Sequence, residues 1–151
     1  MRLMGRFARK LVPPVVPYFG SGEARLQPVS VKDVAAAMVA VLSRREAIGR
    51  IYEAGGPDVY TWKSFYAACL RLIPGARRWK PIVGLPVPLA VLLARTIMKT
   101  PLVPDALRFN VDQVVMAQED SVCDPAAFRD LLGGRLRRFE EELATYGELI
   151  G

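Results

Sequence analysis

Few residues in this 151-residue chain have side chains suited to catalysis. There is no histidine, and the two cysteines, Cys69 and Cys123, form no Cys-x-x-Cys pair. A serine–histidine triad, a zinc site and a disulfide framework therefore have no support, and we expect both cysteines to be buried thiols. The run Glu140–Glu142 indicates a solvated helix face, because no second carboxylate is spaced for paired acid–base catalysis. We predict no catalytic residue and no metal ligand.

The glycine-containing segment Gly20-Ser21-Gly22 superficially resembles the start of a dinucleotide-binding fingerprint. Such a fingerprint follows a strand and opens a helix, so that the pyrophosphate meets free helix N–H groups. Here the glycines lead into another extended segment, and Arg25 stands where a glycine or alanine should be. A hairpin-like turn is therefore favoured about nine to one over a phosphate site. We predict no cofactor-binding residue in the chain.

The composition predicts one folded domain, residues 1–151, because 52% of the residues are hydrophobic. The formal net charge of +6 is uneven. Residues 1–100 hold 16 Lys and Arg against 5 Asp and Glu, whereas residues 101–151 hold 5 against 10. The arginines are scattered singly or in pairs and are not interleaved with aromatic residues. Nucleic-acid binding is therefore unlikely, at about one in fifteen from the charge alone.

The sequence shows no signal peptide, and its apolar stretches are too short to cross a bilayer. We expect a cytoplasmic protein, or one peripheral at a membrane. Near the N-terminus, Leu3, Met4, Phe7 and Leu11 mark the apolar face of a basic amphipathic helix. Packing on the chain's own domain is favoured about three to one over a membrane or a partner.

The stretch from Gln27 to Leu42 organises the predicted fold. Val29 and Val31 alternate like a short strand, and the run Val34–Leu42 has the composition of a helix. Asp33 is the predicted cap or dipole partner of that helix, with Ser30 as a rival. Because the helix is apolar all round, we expect it to be covered on more than one side, as a central or an interface helix.

The remaining elements are predicted from local patterns. Extended segments are expected at residues 15–19, 50–54, 81–83 and 122–123. Further helices are expected after a Thr61 cap, at 86–98, at 106–118, after an Asp124 cap and at 137–146. The expected fold class is α+β, with about six helices and several short strands.

Two blocks of the sequence resemble a known family. Residues 20–35, from Gly20-Ser21-Gly22 to Val34-Ala35, and the segment Gly49–Pro57 are similar to extended and atypical short-chain dehydrogenase/reductases. The Gln27-Pro28-Val29 variant is most similar to the branch of the nucleotide-binding accessory subunit of respiratory complex I, often labelled NAD-dependent epimerase/dehydratase. The resemblance spans roughly residues 12 to 147.

The resemblance implies that this chain is the C-terminal, substrate-side part of an extended Rossmann-type protein. Hydride transfer in that family needs a Gly-rich cofactor turn and a Tyr-x-x-x-Lys pair, in which the lysine lowers the pKa of the tyrosine. None of the five tyrosines has a lysine four residues on. We therefore predict a fragment that lacks the dinucleotide-binding half, with NAD or NADP bound by the full-length parent.

The resemblance also suggests which residues face a small-molecule or nucleotide-linked substrate: Arg25, Gln27 and Tyr52. In sugar-nucleotide epimerases an arginine of this region holds a substrate phosphate, and the matching position here is Leu26. Arg25 is displaced by one residue, which reverses its direction on a strand. The parent is then a NAD(P)-dependent oxidoreductase or epimerase. The alternative is a non-catalytic nucleotide-binding or assembly protein that associates with a membrane respiratory complex.

The apolar helices Val34–Leu42 and Val87–Met98 would be covered partly by the missing half of such a parent. Without it, a large apolar patch should be exposed, which monomers rarely tolerate. We therefore expect a two-fold homo-oligomer, in which Met38 and Val41 mark the buried face.

Overall fold

A computed structural model describes residues 16–72, 81–99 and 108–150. In these ranges it confirms an α+β fold with six α-helices and four short strands. The strands are β1 (Val16–Phe19), β2 (Arg25–Leu26), β3 (Tyr60–Thr61) and β4 (Ile82–Leu85). The helices are α1 (Val31–Leu42), α2 (Trp62–Leu72), α3 (Val87–Arg95), α4 (Val111–Met116), α5 (Ala126–Leu131) and α6 (Phe139–Ile150). The predicted N-terminal helix lies outside the described residues.

The strands form two separate two-stranded sheets. Strands β1 and β4 are parallel, with Val16 opposite Ile82, whereas β2 and β3 are antiparallel. The turn at Gly20 and Gly22 is confirmed by their positive φ angles of 69° and 73°. It joins strands of different sheets, so it does not close a hairpin. The predicted strand at residues 50–54 is wrong, because that segment has no ladder partner among the described residues.

Helix α1 begins three residues earlier than predicted. The Ser30 side chain accepts a hydrogen bond from the Lys32 N–H (3.2 Å), so Ser30 and not Asp33 is the cap. Asp33 lies in the first helical turn, as its alternative role of dipole partner requires. The expected strand at Gln27–Val31 is also wrong, since β2 ends at Leu26. Pro28 has no N–H to donate to a β-ladder, and Ser30, two residues later, caps the first turn of the helix.

Two apolar clusters form most of the core. In the first, Phe65, Cys69 and Leu143 join α2 to α6, and the rings of Phe65 and Phe139 stack with centroids 4.9 Å apart. In the second, Ala37 of α1 packs against Phe128 and Leu131 of α5. The expectation of buried thiols is correct for Cys69, whose pKa burial raises to about 11. Cys123 is only half-buried.

Helices α3 and α4 pack against each other, and Ala90, Ala94 and Val114 on these helices are buried. Helix α4 is shorter than predicted because Asn110 ends the preceding extended chain and forms a capping box with Gln113. Its side chain accepts from the Gln113 N–H (2.8 Å). Residues 106–107 of the predicted helix lie outside the described ranges.

Several other local predictions are confirmed. The Thr61 hydroxyl accepts from the Ser64 N–H (3.2 Å) at the start of α2, and Asp124 accepts from the Ala126 N–H (3.0 Å). Gly133 and Gly134 end α5 with φ angles of 79° and 90°. Such left-handed angles suit glycine after a helix.

Within the described residues helix α1 is covered on one side, and the apolar patch expected on it is exposed; its coverage by a partner stays a prediction. Its Ala37 face packs on α5, but Val31, Met38, Val39 and Leu42 are exposed. Val41 packs on the second core cluster, whereas Met38, one turn earlier, is 65% exposed. In the ranges that the structure describes, no helix is long and apolar enough to span a membrane.

A glycine at position 56 is required by close packing. A Cβ added there would lie 1.8 Å from the carbonyl oxygen of Pro28. We predict that Gly56→Ala lowers the free energy of unfolding by about 2 kcal/mol, the usual cost of overpacking. Urea denaturation measures this. Gly49→Ala is the control: its added Cβ would meet no atom within 4 Å, so its loss of stability comes from the positive φ angle alone. Equal stability of Gly56→Ala and the unmodified chain would contradict the packing.

Candidate functional site

Gln27, one of the predicted substrate-facing residues, connects three chain segments. Its Nε2 donates to the carbonyl oxygen of Gly56 (2.7 Å), and its Oε1 accepts from the Cys123 N–H (2.9 Å). Gly55 leaves room for this arrangement, since an added Cβ would lie 2.8 Å from the Gln27 amide carbon. The donor and the acceptor of the Gln27 amide are therefore both used within the fold.

Arg25 lies at the surface and already has a counter-ion. Its Nε donates to Asp120 Oδ2 (2.8 Å), and its backbone N–H donates to Asp120 Oδ1 (2.8 Å). The Arg25 hydrogen bonds lower the pKa of the Asp120 carboxyl. This pair holds β2 beside the segment at Ser121, whose N–H donates to the Arg25 carbonyl oxygen (2.7 Å).

Tyr52 is half-buried and packs on the second core cluster, which includes Phe128 and Leu131. It lies in the segment between α1 and β3, which has no regular secondary structure after the 3₁₀ helix Arg45–Ala47. Arg25, Gln27 and Tyr52 thus each have a partner within the fold. A substrate-facing role for them stays a prediction.

A cavity of about 430 Å³ opens between the start of α1 and helix α6. It is lined by Pro28, Val29, Ser30, Val31, Phe139, Glu142 and Leu143. The walls are mostly apolar, and the Ser30 hydroxyl and the Glu142 carboxylate are its polar side-chain groups. None of the three predicted substrate-facing residues lines this cavity.

Charged residues beside the cavity join α1 to the start of α6. Asp33 is 2% exposed; it accepts from the Arg137 N–H (2.8 Å) and pairs with the Arg137 guanidinium. Glu142 pairs with Lys32 (3.1 Å) and accepts from the Ser30 hydroxyl (3.3 Å). Because both carboxylates have cationic partners, this arrangement fixes two helices and leaves no unpaired acid for proton transfer.

Sequence reasoning missed this charge cluster because Asp33 and Arg137 are 104 positions apart. One signal was available: Asp33 is the only acidic residue in the apolar run that forms α1. A charge in such a run must find a partner when its helix packs. Among the described residues, no group of three or more His, Cys, Asp or Glu side chains is arranged to hold a metal ion.

The fold and this site define a small α+β module whose polar side chains serve mainly to join its own segments. No family model matches the sequence. The chain is 34% identical, over 137 residues, to a protein of Arabidopsis thaliana named NADH dehydrogenase (ubiquinone) 1 alpha subcomplex subunit 9, mitochondrial. The match covers 84% of the chain and 33% of that relative, so the chain spans about a third of the relative's length.

This similarity agrees with the complex I branch of the resemblance described above. The relative's name assigns it to the alpha subcomplex of an NADH dehydrogenase (ubiquinone).

The buried position of Asp33 predicts a larger effect than the loss of a helix cap. We expect Asp33→Ala to lower the free energy of unfolding by about 2–3 kcal/mol, because it leaves the Arg137 N–H without its acceptor. The half exposure of Arg137 keeps the loss below that of a fully buried pair. Urea denaturation measures the change. Asp33→Asn, which keeps an acceptor and loses the charge, is the control, and a loss near zero for Asp33→Ala would contradict the pairing.

Proposed function

We propose that this chain is a non-catalytic interaction module of a larger protein that assembles with a respiratory NADH dehydrogenase. The observation that carries the proposal is the similarity, across 84% of the chain, to a protein named as a subunit of that enzyme. Because the match covers most of the chain, it supports a common role for the module as a whole.

The geometry of the described residues supports the non-catalytic part of this proposal. Gln27 makes two hydrogen bonds to backbone groups, Arg25 is paired with Asp120, and Asp33 is paired with Arg137. General acid–base catalysis needs a titratable group within reach of a reacting atom in a cavity. The carboxylate that lines the cavity, Glu142, is instead held by Lys32.

A second candidate is the substrate-side domain of a NAD(P)-dependent oxidoreductase or epimerase. The cavity of about 430 Å³ supports it, because a space of this size fits a small molecule. The cavity also adjoins Pro28 and Val29, which belong to the segment that resembles the dehydrogenases. In both candidates NAD or NADP would be bound by the rest of the parent protein.

Native electrophoresis of membranes from the source cells tests the assembly. We expect the chain, tagged at its C-terminus and expressed at its natural level, to migrate with the band that stains for NADH dehydrogenase activity. Deletion of the gene should reduce that band. A tagged chain found only at low mass, with an unchanged activity band in the deletion strain, would contradict the proposal.

Isothermal titration calorimetry tests the assignment of the cofactor to the rest of the parent. We expect no measurable binding of NADH or NADPH to the purified chain, because it lacks the Gly-rich turn that receives the pyrophosphate. A micromolar dissociation constant, which corresponds to a favourable binding free energy of about 8 kcal/mol, would contradict this expectation. The parent protein with its complete dinucleotide-binding region is the positive control.

Two further expectations stay predictions that accompany this proposal. One is a cytoplasmic location, or a peripheral one at the membrane that holds the complex. The other is self-association of the chain, which light scattering at micromolar concentration would reveal.

A further inference from the structure

One continuous stretch of the chain combines exposed aliphatic side chains with arginines that form no ion pair with the described residues. It runs from α1 to Ile51, and we call its exposed groups the α1 surface. Its aliphatic residues are Val31, Met38, Val39, Leu42, Ile48 and Ile51. Their exposed fractions run from 65% for Met38 to 89% for Ile51. Such a concentration of exposed aliphatic side chains marks an interaction site.

Helical spacing places the α1 members of this surface on one side. Met38 follows Val31 by seven positions and Leu42 follows Met38 by four. Residues at these spacings lie on the same side of an α-helix. The opposite side carries Asp33 and Ala37, which are buried. The exposed side chains are therefore directed away from the core cluster that holds α1 in place.

The same surface is cationic. Arg45 and Arg50 are exposed, Arg44 is half-buried, and none of the three forms an ion pair with the described residues. Glu46 is the only acidic residue between Leu42 and Ile51.

The next acidic residue along the chain is directed elsewhere. Glu53 accepts a hydrogen bond from the Asp124 N–H (3.3 Å) at the start of α5. The only acidic residue within α1 itself is the buried Asp33. The exposed part of the α1 surface therefore carries a positive charge.

We propose that the α1 surface docks on the headgroup region of an anionic lipid bilayer. Exposed aliphatic side chains beside arginines fit such an interface, where the chains enter the acyl boundary and the guanidinium groups meet lipid phosphates. Helix α1 has 12 residues and is about 18 Å long, so it lies on the bilayer and does not span it.

Charge complementarity favours an anionic bilayer over a second copy of the chain as the partner of the α1 surface. In a two-fold dimer through this surface, the α1 surfaces of the two copies would contact each other. Arg45 and Arg50 would then approach the arginines of the other copy, and like charges brought together in an interface oppose association. Anionic headgroups have the opposite sign. The inference does not depend on assembly with a respiratory complex.

Co-sedimentation of the purified full chain with vesicles tests the proposal. One set of vesicles holds phosphatidylcholine and phosphatidylglycerol in a two-to-one ratio, and the other holds phosphatidylcholine alone. We expect binding to the mixed vesicles and at least tenfold weaker binding to the neutral ones. The double variant Leu42→Gln with Ile51→Gln should bind the mixed vesicles at least tenfold more weakly. In the double variant Arg45→Gln with Arg50→Gln, the affinity for these vesicles should fall about fivefold for each arginine removed.

A matched control is the double variant Leu92→Gln with Met116→Gln. Both residues are exposed, at 57% and 70%, and lie outside the α1 surface. This control should bind mixed vesicles like the unmodified chain. Thermal unfolding followed by circular dichroism should show that all variants stay folded, since every substituted side chain is exposed.

Three results would overturn the proposal. The first is no sedimentation with mixed vesicles. The second is unchanged binding of Leu42→Gln with Ile51→Gln, which would place the contact elsewhere, for example in the basic residues 1–15. The third is a dimer in light scattering that this same variant dissociates, which would make a second copy the occupant.

Discussion

The structure depends on the pairing of Asp33 with Arg137. A carboxylate that is 2% exposed needs partners for its charge, and Arg137 supplies both a backbone N–H and a guanidinium. Because Arg137 stands two residues before α6, this pairing fixes where α6 begins relative to α1. The position of α6 in turn places Phe139 and Leu143 against α2, and it leaves the cavity between α6 and the start of α1.

Sequence reasoning predicted those features that neighbouring residues determine. The Thr61 and Asp124 caps and the glycines after α5 each act within a few positions, and the structure has them as predicted. The contacts of Arg25, Gln27 and Asp33 with residues 95 to 104 positions away were not predicted. Periodicity and capping signals describe one segment at a time and carry no information about which segment lies opposite.

The two wrong strand predictions have a common physical reason. Val29 and Val31 near α1, and Ile51 and Tyr52 after it, have the side chains that strands favour. A strand forms only beside a neighbour with free N–H and C=O groups, and neither segment pairs with one among the described residues. Ser30 starts a helix at the first. At the second, Tyr52 packs on the core beside Ile51, which is 89% exposed.

The contacts within the fold favour binding at the α1 surface over binding through the predicted substrate-facing residues. The residues that resemblance suggested for substrate contact are engaged in holding β2, the glycine segment and the core together. Binding a ligand through Gln27 would require breaking its part-buried hydrogen bonds, and a buried group left without its partner costs about 1–3 kcal/mol. Releasing the exposed Arg25 from Asp120 would cost less, about 0–1 kcal/mol. The aliphatic and cationic groups of the α1 surface have no competing partners among the described residues. Since they can be covered without breaking any contact in the fold, an interaction role requires less rearrangement of this chain than a catalytic one.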